Sequence, residues 1–202
     1  MLDHIVYGAP DLTSGRDALE QCLGVRASFG GKHSGRGTQN ALLDLGGDSY
    51  LEIIAPDPEQ SPSGSLPFGV RDDMHPHLVG WAVRTQEIDS RVGRARAAGH
   101  DPGEVETMQR RTPDGALLRW RLTRSTSTGF LAPFLIDWDD TPHPSRAAPA
   151  GCELIALRAE HPDPDLLARQ LRALEIDLPV EQGLSPTLTA VLNTPKGRIE
   201  LR

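Results

Sequence analysis

Two arginines near the middle of the chain could bind an anionic small molecule. Arg119 and Arg121 alternate with Leu118, Trp120 and Leu122. Such alternation is typical of a β-strand, whose successive side chains point to opposite faces. If the arginines face a pocket, their guanidinium groups would grip an anionic substrate by paired hydrogen bonds. The simpler alternative is a strand whose arginines face solvent.

A second polar stretch runs from His33 to Asn40 and is interrupted by glycines. Thr38 and Asn40 fall on one face of a strand. The His33 imidazole and the Asn40 amide could hold a substrate carbonyl or carboxylate at the rim of a pocket. The alternative is a hairpin connection whose glycines supply positive φ angles and whose asparagine caps a turn.

Four aromatic residues between positions 81 and 138 could form an apolar pocket wall, although aromatic side chains on strands more often belong to the core. They are Trp81, Trp120, Phe134 and Trp138.

The elements that must position these residues follow a repeat. Three segments each open with a short apolar run, followed by an acidic residue and a helical stretch. The acidic residues are Asp11, Glu87 and Asp163, spaced by 76 residues in both intervals. An acid there accepts hydrogen bonds from the first helical turn and complements the helix dipole. Equal spacing favours an internal repeat over a chance recurrence of βα units.

Each predicted helix carries an apolar stripe and is followed by short β-like runs. The helices close at Gly24 and Gly99 and reach Ile176. The predicted later strands are 25–29, 40–45 and 50–54, then 117–122 and 134–138, then 188–192 and 198–201. Turns are expected at 46–48, 112–115 and 194–197, and linkers at 56–76 and 139–150. We therefore predict an α+β fold of repeated βαβββ modules.

Composition excludes several classes of protein. A formal net charge of -7 over 202 residues argues against a nucleic-acid partner. No apolar run reaches the roughly 20 residues of a membrane span, and the opening residues do not have the pattern of a secretory signal. Cys22 and Cys152 stand far apart, which favours reduced core thiols. We expect a cytoplasmic protein without a membrane partner.

Several motifs resemble the vicinal oxygen chelate superfamily, in its glyoxalase-like branch. The segments Leu2–Val6, Pro10–Leu12 and Tyr50–Ile54 are similar to its opening and fourth strands. The stretch His33–Asn40 is similar to an H-x-G-x-G-T-x-N motif of that branch, which favours a substrate-binding role for His33, Thr38 and Asn40. The resemblance implies two modules, 1–56 and 77–140, that form one cup-shaped domain over residues 1–140. A third half-module is expected at 151–202.

The resemblance also implies a divalent metal on the floor of the cup, bound by the first and fourth strands of each module. In module one these positions are His4 and Glu52, which suit zinc, manganese, iron or nickel. In module two the repeat places them at Gly80 and at Leu135 or Ile136, which cannot coordinate. His77 is then a substitute ligand, reaching inward from a loop. A metal-free cup stays open as an alternative.

Three uses of the cup follow. In the first, His4 and Glu52 are catalytic and act on a small oxygenated metabolite in lyase, isomerase or dioxygenase chemistry, with or without a metal. In the second, the cup binds a drug or metabolite without turnover. In the third, His4 and Glu52 are a buried pair whose polar groups only hydrogen-bond to each other in a polar pocket. Arg119, Arg121 and Trp81 are further candidates for substrate binding.

The third module raises the question of assembly. A lone module leaves an exposed sheet edge and half a cup. It could pair with the same module of a second chain, or dock on the first two. We predict a homodimer.

Overall fold

The computed structural model describes residues 1–60, 65–112, 115–124 and 129–202. Two predicted features therefore lie partly outside the described residues, namely the turn at 112–115 and the linker at 56–76. Among the described helices, none is both long enough and apolar enough to cross a membrane.

The first two modules form a closed eight-stranded barrel with the strand order β1-β4-β3-β2-β6-β7-β8-β5. Its strands are β1 (Leu2–Gly8), β2 (Ser28–His33), β3 (Thr38–Asp44), β4 (Tyr50–Pro56), β5 (His77–Arg84), β6 (Glu104–Arg111), β7 (Leu117–Arg124) and β8 (Phe134–Asp137). Within each module the first strand lies parallel to the fourth, and the second, third and fourth follow one another antiparallel. The predicted α+β class and the module plan are confirmed.

The two modules are joined symmetrically. In the β1–β5 ladder, His4 pairs with Ala82 and Val6 pairs with Gly80. A shift of 76 residues exchanges these two pairs, so the offset read from the sequence is also the structural offset of the barrel. The residues of β1 and β5 consequently meet inside one shared interior.

The described residues include three α-helices, which lie outside the sheets: α1 (Leu12–Leu23), α2 (Ile88–Ala97) and α3 (Pro164–Ala173). Asp11 and Asp163 cap their helices by accepting from the N–H groups of Ser14 at 2.8 Å and Leu166 at 2.9 Å. Glu87 occupies the same position without a side-chain cap bond. In α1 the apolar stripe ends on buried Leu23, and Cys22 is exposed. The expectation of a core thiol at Cys22 is therefore wrong, while Cys152 is buried and both cysteines are free.

The sequence analysis did not predict two of the strands, β6 and β10 (Val180–Gln182). β6 carries mostly polar residues, since one of its faces lines the barrel interior and the other is largely exposed. The third module contains β10 (Val180–Gln182), a three-residue edge strand, beside β9 (Glu153–His161), β11 (Thr187–Thr194) and β12 (Gly197–Leu201). The second strand also begins three residues later than the predicted 25–29 and extends to His33.

The third module docks on the barrel. Its sheet has the order β10-β9-β11-β12, so it repeats the βαβββ order along the chain but not the strand pairing of the first two modules. The N–H of Leu154 donates to the carbonyl of Leu45 at 3.0 Å, and that of Leu78 donates to the carbonyl of Arg202 at 2.9 Å. One hydrophobic core runs through both sheets. The division into 1–140 and 151–202 stays a prediction.

Candidate functional site

The barrel encloses a cavity of about 510 Å³. This volume is typical of sites that hold a small metabolite or cofactor. Its two sides differ in chemistry, because the strands of module one contribute most of the uncharged polar groups and the strands of module two most of the apolar ones. The main polar residues are His4, His33, Thr38, Asn40, Tyr50 and Glu52, and the main apolar ones are Met108, Trp120, Leu122, Phe134, Ile136 and Trp138.

His4 and Glu52 face each other across the floor of the cavity. They lie on the parallel pair β1 and β4, in which Val6 is the partner of Glu52 and His4 that of Tyr50. His4 Nε2 lies 3.6 Å from Glu52 Oε2, and both residues are buried. The two atoms are too far apart for a strong direct hydrogen bond. A ligand atom placed beside them can therefore contact both.

Asp3 orients the imidazole of His4. The Asp3 carboxylate is fully buried and lies 2.6 Å from His4 Nδ1. Its other oxygen accepts hydrogen bonds from Trp138 Nε1 and His143 Nε2, each at 3.0 Å. Burial alone would raise the pKa of Asp3, but the hydrogen bonds from His143 and His4 outweigh it and hold this pKa well below its ordinary value. Asp3 is thus an ionised acceptor that fixes a hydrogen on His4 Nδ1 and leaves His4 Nε2 turned toward the cavity.

Glu52 is held by Asn40 and not by His4. Asn40 Nδ2 donates to Glu52 Oε1 at 2.7 Å and lies 3.3 Å from His33 Nε2. His33 Nδ1 lies 2.9 Å from Thr38 Oγ1. Burial lowers the pKa of His33, so this ring is neutral. These contacts give His33 a hydrogen on Nδ1 and leave Glu52 Oε2 as the carboxylate oxygen turned toward His4.

Aromatic rings enclose this polar floor. Tyr50 stacks on His4 with ring centroids 4.6 Å apart and an interplanar angle of 17°. Phe134 meets the His4 ring edge-on at 5.4 Å. Trp120 and Trp138 pack together at 5.3 Å on the module-two side. Trp81 also reaches the cavity lining, but it packs in the main core and its indole N–H donates to the carbonyl of Leu131 at 2.8 Å.

Three of the predicted site residues lie elsewhere. Arg119 is exposed, and Arg121 forms a two-pronged ion pair with Asp89 of α2, so β7 turns Trp120 inward and Arg119 and Arg121 outward. His77 is exposed at the start of β5, where its Nδ1 contacts the carbonyl of His75 at 2.7 Å. None of the three lines the cavity. The alternation along the strand could not decide whether Arg119 and Arg121 face a pocket or solvent. These contacts show that both face away from the cavity.

The register of module two corrects one further expectation. In module one Val6 pairs with Glu52, and the corresponding pair in module two is Ala82 with Phe134. The counterpart of Glu52 is therefore Phe134, neither Leu135, which lies in the core, nor Ile136, which is one step further along the cavity wall. The counterpart of His4 remains Gly80. Neither Gly80 nor Phe134 can bind a metal.

These donors do not fit the metal implied by the resemblance. His4 Nε2 and Glu52 Oε2 are suitable atoms, but a catalytic zinc site normally uses three protein ligands. His33 Nε2 lies 3.8 Å from Glu52 Oε1, and its lone pair faces the amide of Asn40. Among the described residues no group of three His, Cys, Asp or Glu side chains is arranged to hold a metal ion. His77, the expected substitute, points away from the cavity.

Sequence reasoning missed Asp3, Tyr50, His143 and Arg110, all of which belong to the cavity or support it. Tyr50 lies two residues before Glu52 on the same strand, so the period of two could have found it. Asp3 points away from the cavity and reaches the site only through His4. His143 comes from the linker at 139–150, where no periodic pattern marks it.

The comparison with protein families agrees with this architecture. A family model described as "Glyoxalase-like domain" matches residues 2–175. The chain belongs to this glyoxalase-like family. Membership confirms the resemblance to the vicinal oxygen chelate superfamily. Among curated proteins, no sequence matches this glyoxalase-like chain significantly.

Solved structures share the fold of this glyoxalase-like protein at low sequence identity. A hypothetical protein from Staphylococcus aureus has a TM-score of 0.67 at 14% identity, over 98% of this chain and 84% of that one. Methylmalonyl-CoA epimerase from Mycobacterium tuberculosis has a TM-score of 0.44 at 19% identity, over 70% and 88%. A xylose isomerase-like TIM barrel/4-hydroxyphenylpyruvate dioxygenase fusion protein has 0.43 at 20%, over 98% and 31%. At these identities, similarity concerns the fold alone.

Proposed function

We propose that this glyoxalase-like protein binds a small oxygenated metabolite in the barrel cavity and moves a proton at a carbon next to its carbonyl. His4 and Glu52 form the acid–base pair. The observation that supports the proposal is the array of Asp3, His4 and Glu52, in which one carboxylate holds His4 Nδ1 at 2.6 Å and the other lies 3.6 Å from His4 Nε2.

Each member of the array has a separate task. His4 Nε2 takes the proton, and the ionised Asp3 stabilises the imidazolium that results. Glu52 Oε2, on the same floor, takes the proton from the His4 imidazolium and returns it to another atom of the ligand, while Asn40 keeps Glu52 Oε1 in place. A proton removed by one group and returned by the other leaves the ligand isomerised or ready to lose a leaving group. Isomerase and lyase chemistry therefore need only these residues.

The apolar side of the cavity supports proton transfer. Trp120, Trp138 and Phe134 exclude water from the ligand. A drier site strengthens the interactions of the buried charges and prevents water from competing for the proton. Ring-opening dioxygenase chemistry lies outside this proposal, because a non-haem iron centre uses two histidines and a carboxylate on one face, and the described residues supply no such set.

Deuterium exchange tests the proposal directly. Small ketones, 2-oxo acids and 2-oxo esters are incubated with the protein in D₂O, and loss of the proton signal next to the carbonyl is followed by NMR. We expect exchange with the natural protein and a fall of roughly a hundredfold or more in His4→Gln and Glu52→Gln. Arg121→Gln, which alters an ion pair outside the cavity, is the matched control and should exchange normally. Undiminished exchange in both floor variants would refute the roles of His4 and Glu52.

A second candidate function is binding without turnover, as in a drug-sequestering or metabolite-sensing protein. The observation in its favour is the loss of polar groups from the module-two half of the floor, where Gly80 and Phe134 stand at the positions of His4 and Glu52. This function predicts saturable binding of compounds whose protons do not exchange with D₂O at any protein concentration.

We also propose that the protein is a cytoplasmic homodimer. The third sheet supports the dimer, because its order places β10 and β12 at the edges, where a second copy can add strands. Light scattering on a sizing column measures the mass. A monomer of 21.9 kDa at micromolar concentration would overturn the dimer.

A further inference from the structure

Arg110 is a buried cation that takes no part in the proton transfer described above. It lies on β6 with Glu106 and Met108 on the same face, and all three line the cavity. Only 4% of its surface is exposed. Arginine is almost never buried to this extent unless it is paired. Its position on the wall of an enclosed cavity therefore requires an explanation.

The protein makes room for this guanidinium with a glycine pair in β2. Arg110 Nη1 donates to the carbonyl of Gly30. Gly31 has a φ of 142°, and a Cβ there would lie 3.3 Å from Arg110 Nη1 and 2.6 Å from the carbonyl oxygen of Arg111. A larger residue at Gly31 would displace the arginine or the neighbouring strand. The absence of a side chain at Gly31 thus leaves the space that Arg110 occupies.

The other arginines of the cavity share one carboxylate. Arg36 and Arg124 both pair with Glu106, at 2.6 Å and 3.6 Å. Arg110 has no carboxylate oxygen within 4.0 Å among the described residues. Tyr50 and Glu52 act on it only through longer-range electrostatics, and Glu52 Oε1 is occupied by Asn40.

This arrangement leaves N–H groups of Arg110 without acceptors among the described residues. A guanidinium carries five N–H groups in a planar fork and stays charged even where burial lowers its pKa, as it does for Arg110. The carbonyl of Gly30 satisfies one of them. Buried charges without a partner are costly. A planar anion offering two oxygens would match the remaining fork.

We propose that Arg110 binds the carboxylate of a small organic acid whose apolar body packs against Met108 and Trp120. The assignment narrows the ligand of the proposed proton-transfer site to carboxylic acids, and it rests on the proposal that this cavity is the binding site. The acid brings a negative charge to the side of the cavity that has an excess positive charge. Its body faces the apolar half of the barrel.

Matched acids and esters test the assignment. The probes are 4-methyl-2-oxopentanoate, phenylacetate and 3-phenylpropionate, each with its methyl ester, together with inorganic phosphate, and binding is measured by calorimetry. We expect at least one acid to bind about ten to a hundred times more tightly than its ester, which is the range of a hydrogen bond to a charged group. In Arg110→Met this preference should disappear. In Arg110→Lys, which keeps the charge but not the fork, the preference should be partly retained. Arg121→Gln is again the control and should bind like the natural protein.

Each binding result either supports or overturns the assignment of Arg110 to a carboxylate. Equal binding of acids and esters, a preference that survives in Arg110→Met, or no binding by any acid overturns the assignment. Phosphate binding more tightly than every carboxylate also overturns it, because the anion would then be a phosphate. If Arg110→Met fails to fold, an unchanged preference in Arg110→Lys has the same consequence. Acid binding that depends on Arg110 but shows no deuterium exchange would refute the proton transfer alone, and exchange without an acid preference would refute this assignment alone.

Discussion

Replacing Asp3 by asparagine should change the tautomer of His4. In the natural protein one Asp3 oxygen accepts from His4, and the other accepts from Trp138 and His143. An asparagine amide has one oxygen and one NH₂ group. If its oxygen faced His4, the NH₂ group would oppose two N–H donors. The favoured orientation keeps the oxygen on Trp138 and His143 and turns the NH₂ group toward His4 Nδ1.

His4 must then accept on Nδ1 and carry its hydrogen on Nε2. The lone pair that faces Glu52 and the cavity disappears, and with it the proton acceptor. Three hydrogen bonds also lose the charge of Asp3. Since a bond to a charged group contributes about 1 kcal/mol more than a neutral one, the free energy of unfolding should fall by about 3 kcal/mol.

Two measurements read these effects separately. Long-range ¹H–¹⁵N NMR of the imidazole rings reports which nitrogen of His4 carries the hydrogen. Urea unfolding followed by tryptophan fluorescence reports stability, and deuterium exchange should fall roughly a hundred- to ten-thousandfold. Asp89→Asn is the matched control, because Asp89 is an exposed carboxylate paired with Arg121. Its stability should change by less than about 1 kcal/mol.

One result would contradict the role of Asp3 in selecting the His4 tautomer. If Asp3→Asn folds normally and His4 still carries its hydrogen on Nδ1, Asp3 does not select the tautomer. A loss of exchange in that case would come from a displaced ring and not from a changed protonation site.

Three further perturbations test the burial and backbone geometry. Burial lowers the pKa of His100 in the folded protein below its ordinary value of 6.5. The contribution of the neutral ring to the free energy of unfolding is therefore fully present above pH 6.5. It is lost as the pH falls through the pKa of the folded protein, by at most about 1.4 kcal/mol per pH unit. Urea unfolding of His100→Asn across pH should lack this loss. Leu192→Ala, in the docked third sheet, should cost about 2–5 kcal/mol, whereas fully exposed Leu184→Ala should cost under about 0.5 kcal/mol in the same urea titration. Gly31→Ala should lower the free energy of unfolding by about 1–3 kcal/mol, because Gly31 has a positive φ. Gly93→Ala should raise it by about 0.5–1 kcal/mol, because the added Cβ in α2 meets open space. Thermal melts that shift in the same direction for both variants would contradict this.

The fold was predictable because its signals are local and repeated. Acidic caps at Asp11, Glu87 and Asp163 mark the start of each helix, and glycines at 24 and 99 take left-handed conformations just past the ends of the first two. Because the three acidic residues are equally spaced, these local signals also predicted that the fold is built from repeated modules. Strand β6 escaped because its inward face lines a polar cavity, so its sequence lacks the alternation of a strand that covers a core.

The candidate site was only partly predictable, because its second layer is assembled from distant parts of the chain. A first-strand histidine and a fourth-strand glutamate can be placed from the repeat alone. Asp3 supports His4 through contacts with Trp138 and His143, which lie 135 and 140 residues away. No spacing rule connects these positions. Arg110 is likewise explained by Gly30 and Gly31 across the junction of the two modules.

The unequal halves of the barrel follow from the same repeat. Because β1 and β5 pair symmetrically, both modules must present their first- and fourth-strand residues to one cavity. Chemistry at those positions is independent in the two modules, and here it differs: His4 and Glu52 face a wall built on Gly80 and Phe134. A floor with two donors on one side is poorly suited to surround a metal ion, but it suits a flat ligand held between proton carriers and an apolar wall. Arg110, on the second module, then adds a positive charge that has no carboxylate partner within 4.0 Å among the described residues.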